Sequence, residues 1–572
     1  MKSIVPVALS VALAALAGMT GASSAQQAPT HVTPGPEVER RQQRQIDDAK
    51  ALNPAPDVLT PSVRAEAPPD LAHLPSDRPC FPVHRIVLVD NAFDWLAPLL
   101  QPAVGACVGQ HALKAIQDVA NNALIARGYV TSRVLIPPQS LDAGTLTLQV
   151  VPGRVSAVRA AAPAIGVLRA ALPTSAGALL NQRDIDQGLE NLRRLQSQAD
   201  ATFDIAPGAR PGESDVVLRP GTGKRWHAVI GADNAGLDST GKYAMFGSFT
   251  FDSPLHLYDQ LQIAGTTDAH VGASGKGNQS ASANYGVPFG HALLTLSASR
   301  SRYAQTAAGF DGPIAYTGAQ SQWQAEVSGV VHRSAHARTD IHGALFHKTS
   351  RNEIDGVDID VQHRDLVGYE LGIAHRQYAG DAMLDGSLTW RASLPGVSHR
   401  PGTVLDAPDF DGKTRLLLAS ANAQLPFRLG GHALSYRFGW HAQVARTPLL
   451  PSDYFSIGTR HAVRGFDQQL TLAAESGWAV TNELDWHLPA SAFGTHALYA
   501  GIDAGRVRGP AAQYLLGRTL AGAVVGMRGN VTPKNPLGAT LNYDVSVGWP
   551  LSKPDGFVTG APTLLFQASA LF

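Results

Sequence analysis

The segment Leu564-Leu565-Phe566-Gln567-Ala568-Ser569-Ala570-Leu571-Phe572 decides how the chain is read. Counting back by twos from Phe572 gives Phe572, Ala570, Ala568, Phe566 and Leu564, an apolar face with the period of a β-strand. A strand this apolar would recruit other chains if left as an open edge in water. In a bilayer every backbone group must find its partner inside the protein, so such a strand belongs to a closed barrel. A terminal aromatic is common at the end of the last strand of an outer-membrane barrel.

The beginning of the chain points to the same compartment. Lys2 is followed by a nearly charge-free run from Ile4 to Met19 and then by Ser23-Ser24-Ala25. This reads as a secretory signal peptide over residues 1–25. A membrane anchor fits less well, because the run is short and no basic stop-transfer cluster follows. No later stretch offers the ~20 consecutive apolar residues of a membrane helix, so strands are expected to do any spanning.

Composition narrows the function classes. Among 572 residues only 16% are charged, and Lys plus Arg equals Asp plus Glu at 46 each. That balance argues against a nucleic-acid partner. Cys80 and Cys107 are the two cysteines. An even, sparing count in an exported chain points to a structural disulfide, and the absence of CxxC argues against a redox thiol.

From Pro36 to Leu52 the chain carries good helix formers, with Glu37 and Glu39 leading and Lys50 trailing, as a helix dipole favours. Its apolar residues are too few to bury a face, so the helix is either solvated or docked into something polar. Seven prolines between Pro54 and Pro79 make the next segment an extended, semi-rigid linker. The chain turns globular at Cys80. A strand at His84–Val89, a helix over Gly109–Arg127 stopped at Gly128, and strands at Tyr129–Ile136 and Thr145–Val151 compose one small αβ module. A second follows, with a strand near Val155, a short helix at Gly166–Leu172, a helix opened by Asn181, and strands at Ala201–Ile205 and Ser214–Leu218.

Beyond Lys224 short strands and turns take over. In Leu434–Val444 the even positions are all apolar, while the odd ones are Ser, Arg, Gly, His and Gln. One face suits lipid and the other a wet lumen. About 350 residues at roughly 22 per strand and turn give about 16 strands, an even number typical of bacterial barrels. A soluble sandwich or propeller would not account for the signal peptide, the aromatic last strand and the polar lumen together.

Several motifs resemble one family. Cys80-Phe81-Pro82-Val83-His84-Arg85-Ile86 is similar to the entry of the first POTRA domain of two-partner secretion transporters, the haemolysin secretion/activation and filamentous-haemagglutinin transporter group of the BamA-like superfamily. Arg127-Gly128-Tyr129-Val130-Thr131-Ser132-Arg133 resembles its RGYVT-R stretch. Val463-Arg464-Gly465-Phe466 resembles the VRG(Y/F) motif of its inward-folded sixth extracellular loop, although Thr459 stands where a second Gly is common. Ala500-Gly501-Ile502-Asp503-Ala504-Gly505, after Asn482-Glu483-Leu484, resembles the wall motif that receives the loop arginine. Gly548–Pro554 is similar to the last hairpin.

The resemblance implies an all-β transmembrane barrel of about 16 antiparallel strands, preceded by two periplasmic α+β POTRA domains and an N-terminal plug helix. The divisions expected are a signal peptide (1–25), plug helix (26–52), Pro-rich linker (53–79), first POTRA domain (80–154), second POTRA domain (155–221) and barrel (222–572). It also implies an outer-membrane translocator that takes an unfolded TpsA-type exoprotein, bearing an N-terminal secretion domain, from the periplasm and exports it. Outer-membrane lipid and the barrel-assembly machinery are the other expected partners, with no nucleic acid. A barrel-assembly relative or a passive porin would be the rival readings.

The loop can also be argued physically. An arginine inside a lumen needs a carboxylate, and a guanidinium pairs best in a two-toothed bond. Asp503 is the expected partner of Arg464, with Gly501 and Gly505 on the same face of the strand leaving room for Val463, Gly465 and Phe466. Cys80 and Cys107 are expected to be bridged, a closure worth about 3 kcal/mol on the chain-entropy model. No G-x-S-x-G, H-E-x-x-H or cysteine cluster occurs. Gly236-Leu237-Asp238-Ser239-Thr240-Gly241-Lys242 approaches a phosphate loop but is followed by Tyr243 where Ser or Thr is needed. Neither an enzyme, a cofactor nor a metal is expected.

Overall fold

The computed structural model describes residues 37, 38, 40, 41, 70–75, 77–269, 277–308, 313–399, 412–491, 494–532 and 538–572. The expected signal peptide, most of the plug helix and most of the linker lie outside the described residues.

The first module contains β1 (Arg85–Val89), α1 (Gln110–Ala126), β2 (Arg133–Leu135) and β3 (Thr145–Val151), with β3 central, parallel to β1 and antiparallel to β2. Apolar residues four apart give α1 one buried stripe, Ile116, Ala120 and Leu124, which packs with Leu146, Leu148 and Val150 of β3. Sequence reasoning started the second strand at Tyr129, four residues too early. Gly128 ends α1 with a left-handed φ of 91°, Ser132 N–H then donates to Tyr129 O across a turn (3.1 Å), and the Tyr129 ring enters the core 4.7 Å from that of Phe93. Cys80 and Cys107 are disulfide-bonded, with Cα atoms 5.4 Å apart. Leu71 is buried in the same core, so the end of the proline-rich segment packs onto the module.

The second module contains β4 (Arg154–Ala160), α2 (Gln182–Arg193), β5 (Thr202–Pro207) and β6 (Glu213–Arg219), again with the last strand central. Asn181 caps α2 by accepting the Arg183 N–H at 2.8 Å. The short preceding helix is confined to Leu168–Ala171.

The barrel opens with β7 (Trp226–Asp233), β8 (Ala244–Asp252), β9 (Gln260–Asp268), β10 (Gly277–Phe289), β11 (Ala292–Ala308) and β12 (Pro313–Arg333). It continues with β13 (Ala337–Ile354), β14 (Arg364–Ala379), β15 (Ala382–Ser393), β16 (Arg415–Leu429) and β17 (His432–Ala445). It ends with β18 (Ser476–His487), β19 (Gly494–Arg508), β20 (Thr519–Val531), β21 (Thr540–Ser552) and β22 (Thr563–Leu571). These sixteen long strands, counted among the described residues, form one closed antiparallel sheet. Closure is narrowest where the ends meet: β22 and β7 share five register pairs, Gln567↔Asp233 to Leu571↔Val229, against seventeen between β11 and β12. Leu345, Leu371, Ile230 and Trp323 are exposed on the outer wall, where a solvent of lipid is required. No described helix is long and apolar enough to cross a membrane.

The second module is joined to the barrel by packing and charge. Tyr258, in the turn between β8 and β9, is fully buried with Leu192, Leu195 and Leu218 of the module. Glu190 of α2, also buried, takes Arg333 (2.7 Å) from the end of β12 and Arg338 from the start of β13. Arg194 donates to Tyr258 O (2.9 Å), and burial pulls its guanidinium down to about 10 against the support of Asp252 and Asp259.

Candidate functional site: the loop tip and its lumenal receptor

The connection from β17 to β18 folds back into the barrel. Phe455–Ile457 and Leu472–Ala474 pair as a two-stranded ribbon, and Ile457, Val463, Phe466 and Leu472 pack with Val507, Leu520 and Phe557. Phe466 meets Phe557 edge-on, with ring centroids 5.7 Å apart. Thr459 suits its place before the tip: it is buried, and its backbone N–H and the Ala462 N–H exchange bonds with the opposing carbonyls at 2.9 and 3.2 Å.

Arg464 and Asp503 meet face to face. Nε and Nη2 of Arg464 donate to the two carboxylate oxygens of Asp503 at 2.7 and 2.9 Å, and the Arg464 backbone N–H adds a third bond at 2.9 Å. Among the described residues, Arg464 supplies every hydrogen bond that the Asp503 side chain accepts. The third guanidinium nitrogen, Nη1, donates to Glu483. Asp503 is 1% exposed, Glu483 7% and Asp485 1%, so these carboxylates depend on cations rather than on water.

The cations form a chain along the wall. Glu483 also takes Arg437 (2.7 Å) and Arg528 (2.6 Å), and Asp485 takes Arg437 through both oxygens (2.8 and 2.6 Å). Arg528 lies 3.8 Å over the Tyr499 ring, whose hydroxyl donates to Asp544 at 2.7 Å. Alternation places Arg437, Glu483, Asp485, Asp503 and Arg528 all on the inward face of β17 to β20. Sequence reasoning named Arg464 and Asp503 but passed over Arg437, Asp485 and Arg528. Their inward parity was legible in each strand, yet which strands become neighbours was not.

Close backbone approach fixes the tip. Gly465 has a φ of 107°, a conformation that favours glycine. A Cβ on Gly522 would stand 1.9 Å from Arg464 O, and one on Gly548 2.8 Å from Gly465 Cα. On the receiving strand, a Cβ at Gly501 would lie 2.7 Å from Arg464 Nη2, and one at Gly505 2.8 Å from Val463 Cγ2. Gly522 and Gly548 are therefore part of the receptor; Gly548 opens the segment similar to the last hairpin, but that likeness did not tie it to the loop, and Gly522 stands in no motif.

Glu37, Val38, Arg40 and Arg41 are helical and lie against this loop. The Thr471 hydroxyl donates to Glu37 at 3.0 Å, Arg40 and Arg41 donate to Pro451 O and Gln468 O, and Val38 is buried with Leu237, Tyr303 and Tyr316. No group of side chains able to hold a metal ion occurs among the described residues.

Residues 212–529 match the haemolysin secretion/activation protein family ShlB/FhaC/HecB. The chain belongs to this family. Residues 81–153 match the ShlB-type POTRA domain and 154–207 a further POTRA domain. The outer membrane transporter CdiB-2 of Burkholderia pseudomallei is 33% identical, over 100% of this chain and 99% of its own length. The hemolysin transporter protein ShlB of Serratia marcescens is 27% identical, over 86% of each chain. The solved structure of CdiB from Escherichia coli superposes with a TM-score of 0.80 at 25% identity, covering 96% of this chain and 100% of that one. CdiB from Acinetobacter baumannii gives 0.78 at 26%, with the same coverage. The protein is an outer-membrane transporter of the two-partner secretion type, with its barrel in the membrane and its POTRA domains in the periplasm.

Proposed function

We propose that this transporter exports one large TpsA-type exoprotein, captured unfolded at the POTRA domains and threaded through the barrel, with the Arg464–Asp503 contact holding the loop in its working position. The observation that carries the reading is the combination of two αβ modules at the periplasmic mouth with a lumen whose wall grips an inward loop through buried ion pairs. An extended chain is taken by strand addition, whose main-chain bonds tolerate varied sequence. In the first module β1 is the edge open to it, whereas Gln117 and Asn121 of α1 already hold the outward backbone groups of Val134 in β2. Folding of the cargo outside supplies the pull, and the transporter itself makes or breaks no covalent bond. The exoprotein is recognised through an N-terminal secretion domain, and barrel-assembly machinery inserts the transporter.

The segment 26–52 is the plug. Support comes from the contacts of Glu37, Val38, Arg40 and Arg41 with inward-facing groups of loop and wall, polar enough to be released into water. Co-expression with a TpsA-type exoprotein tests the whole reading: the exoprotein should reach the medium only when the transporter is present, and its appearance without the transporter would refute it. Deleting residues 26–52 should raise single-channel conductance in planar bilayers, and an unchanged conductance would remove the plug.

A further inference from the structure

The outer wall carries a feature that protein export does not use. Residues of β11 whose side chains face lipid are Leu294, Leu296, Ala298, Arg300 and Arg302, the parity of exposed Leu296. β11 rises from the periplasmic turn at Ala292. At about 3.4 Å per residue and a tilt near 40°, Arg300 stands roughly 20 Å above that turn and Arg302 about 25 Å, the upper edge of a ~25 Å apolar band. The register draws the same boundary. Leu296 aligns with Ala325 and Leu345, Ala298 with the exposed Trp323, Arg300 with Ser321, and Arg302 with Ala319 and then Arg351. The wall changes from aliphatic to basic and hydroxylic within two rows, above one indole.

A groove of about 610 Å³ lies at this boundary. Ala281, Ala283 and Ala298 make its floor, Ile263 and Trp323 its sides, and Arg300 stands at its upper end with Arg351. Arg351 is occupied by Asp358 and Glu353 (3.4 Å to the latter). No described carboxylate pairs with the exposed Arg300. Small side chains below and an uncompensated guanidinium above match an acyl chain and a phosphate on one molecule. A guanidinium grips phosphate with two parallel bonds, and an indole suits the level where chain meets headgroup.

We propose that this groove binds a phosphorylated, multiply acylated glycolipid of the outer leaflet, with one acyl chain on the alanine floor beside Trp323 and one phosphate on Arg300. The site is distinct from the cargo path, because the wall of the barrel separates it from the lumen.

The test uses the full chain in detergent, bisphosphorylated lipid A as probe, and native mass spectrometry to count bound lipids. One lipid A should bind at least tenfold more tightly than its dephosphorylated form or phosphatidylglycerol. Arg300→Gln should lose that margin, while Arg300→Lys retains most of it. Brominated acyl chains should quench the wild type more than Trp323→Phe. Equal binding of phosphatidylglycerol, or undiminished lipid A binding by the Arg300→Gln variant, would overturn the proposal. Should the Gln variant not form a compact barrel, the phosphate comparison on the wild-type chain decides the question.

Discussion

Replacing Arg464 by Ala is the sharpest perturbation of the loop. It removes both guanidinium bonds to Asp503 and the bond to Glu483. Glu483 keeps Arg437 and Arg528, but Asp503 is left with a single backbone N–H. Breaking a buried pair from one side costs about 3–5 kcal/mol, because the surviving charge has no water to return to. At about 1.4 kcal/mol per tenfold, the docked loop should lose between roughly a hundredfold and a few thousandfold in population relative to its released form. Proteolysis of intact cells, with cleavage in the 446–475 connection followed by fragment mapping, reads this directly. Secretion of the exoprotein should fall to background, while the heat-modifiable band on a cold denaturing gel shows that the barrel still inserts. Combining Arg464→Ala with Asp503→Ala should cost less than the sum of the two, since no orphan charge remains. Wild-type protection and export by Arg464→Ala would refute the reasoning.

Gly522→Ala should release the same loop without touching a charge, because its methyl would lie 1.9 Å from Arg464 O, backbone that cannot swing aside; protease sensitivity equal to wild type would count against the glycine cradle. Glu190→Ala should strip Arg333 and Arg338 of their shared carboxylate and loosen the second POTRA domain by about 3 kcal/mol or more, read as faster amide exchange in α2, with unchanged exchange as the contrary result. Asp77 is held below the usual carboxylate range, first by the Ala112 N–H and then by His111 at the start of α1. A depressed folded value means the benefit is complete above the unfolded value, about 3.9, and is lost as pH falls through and below it. Asp77→Asn should therefore flatten the acid dependence of Trp95 fluorescence below about pH 4, and parallel titrations would contradict the cap.

The local pattern of the chain determined a great deal. The last nine residues, the alternation of Leu434–Val444 and the periodicity of α1 state which face of each element is apolar. A barrel follows, because a bilayer admits no unpaired strand edge. Arg464 and Asp503 were legible because a lumenal cation needs an acceptor and both stand in recognisable surroundings. The start of β2 was set too early, at Tyr129, because residues of strand-like type follow Gly128, and the Phe93 ring that captures Tyr129 lies 36 positions away in sequence. Only the closed sheet decided that Arg437, Arg528, Glu483 and Asp485 share one patch, that Gly522 and Gly548 face the loop backbone, and that Glu190 reaches strand ends some 145 residues downstream. Parity along a strand is a property of the chain, whereas neighbourhood across strands is set by register and shear, which appear only when the cylinder closes.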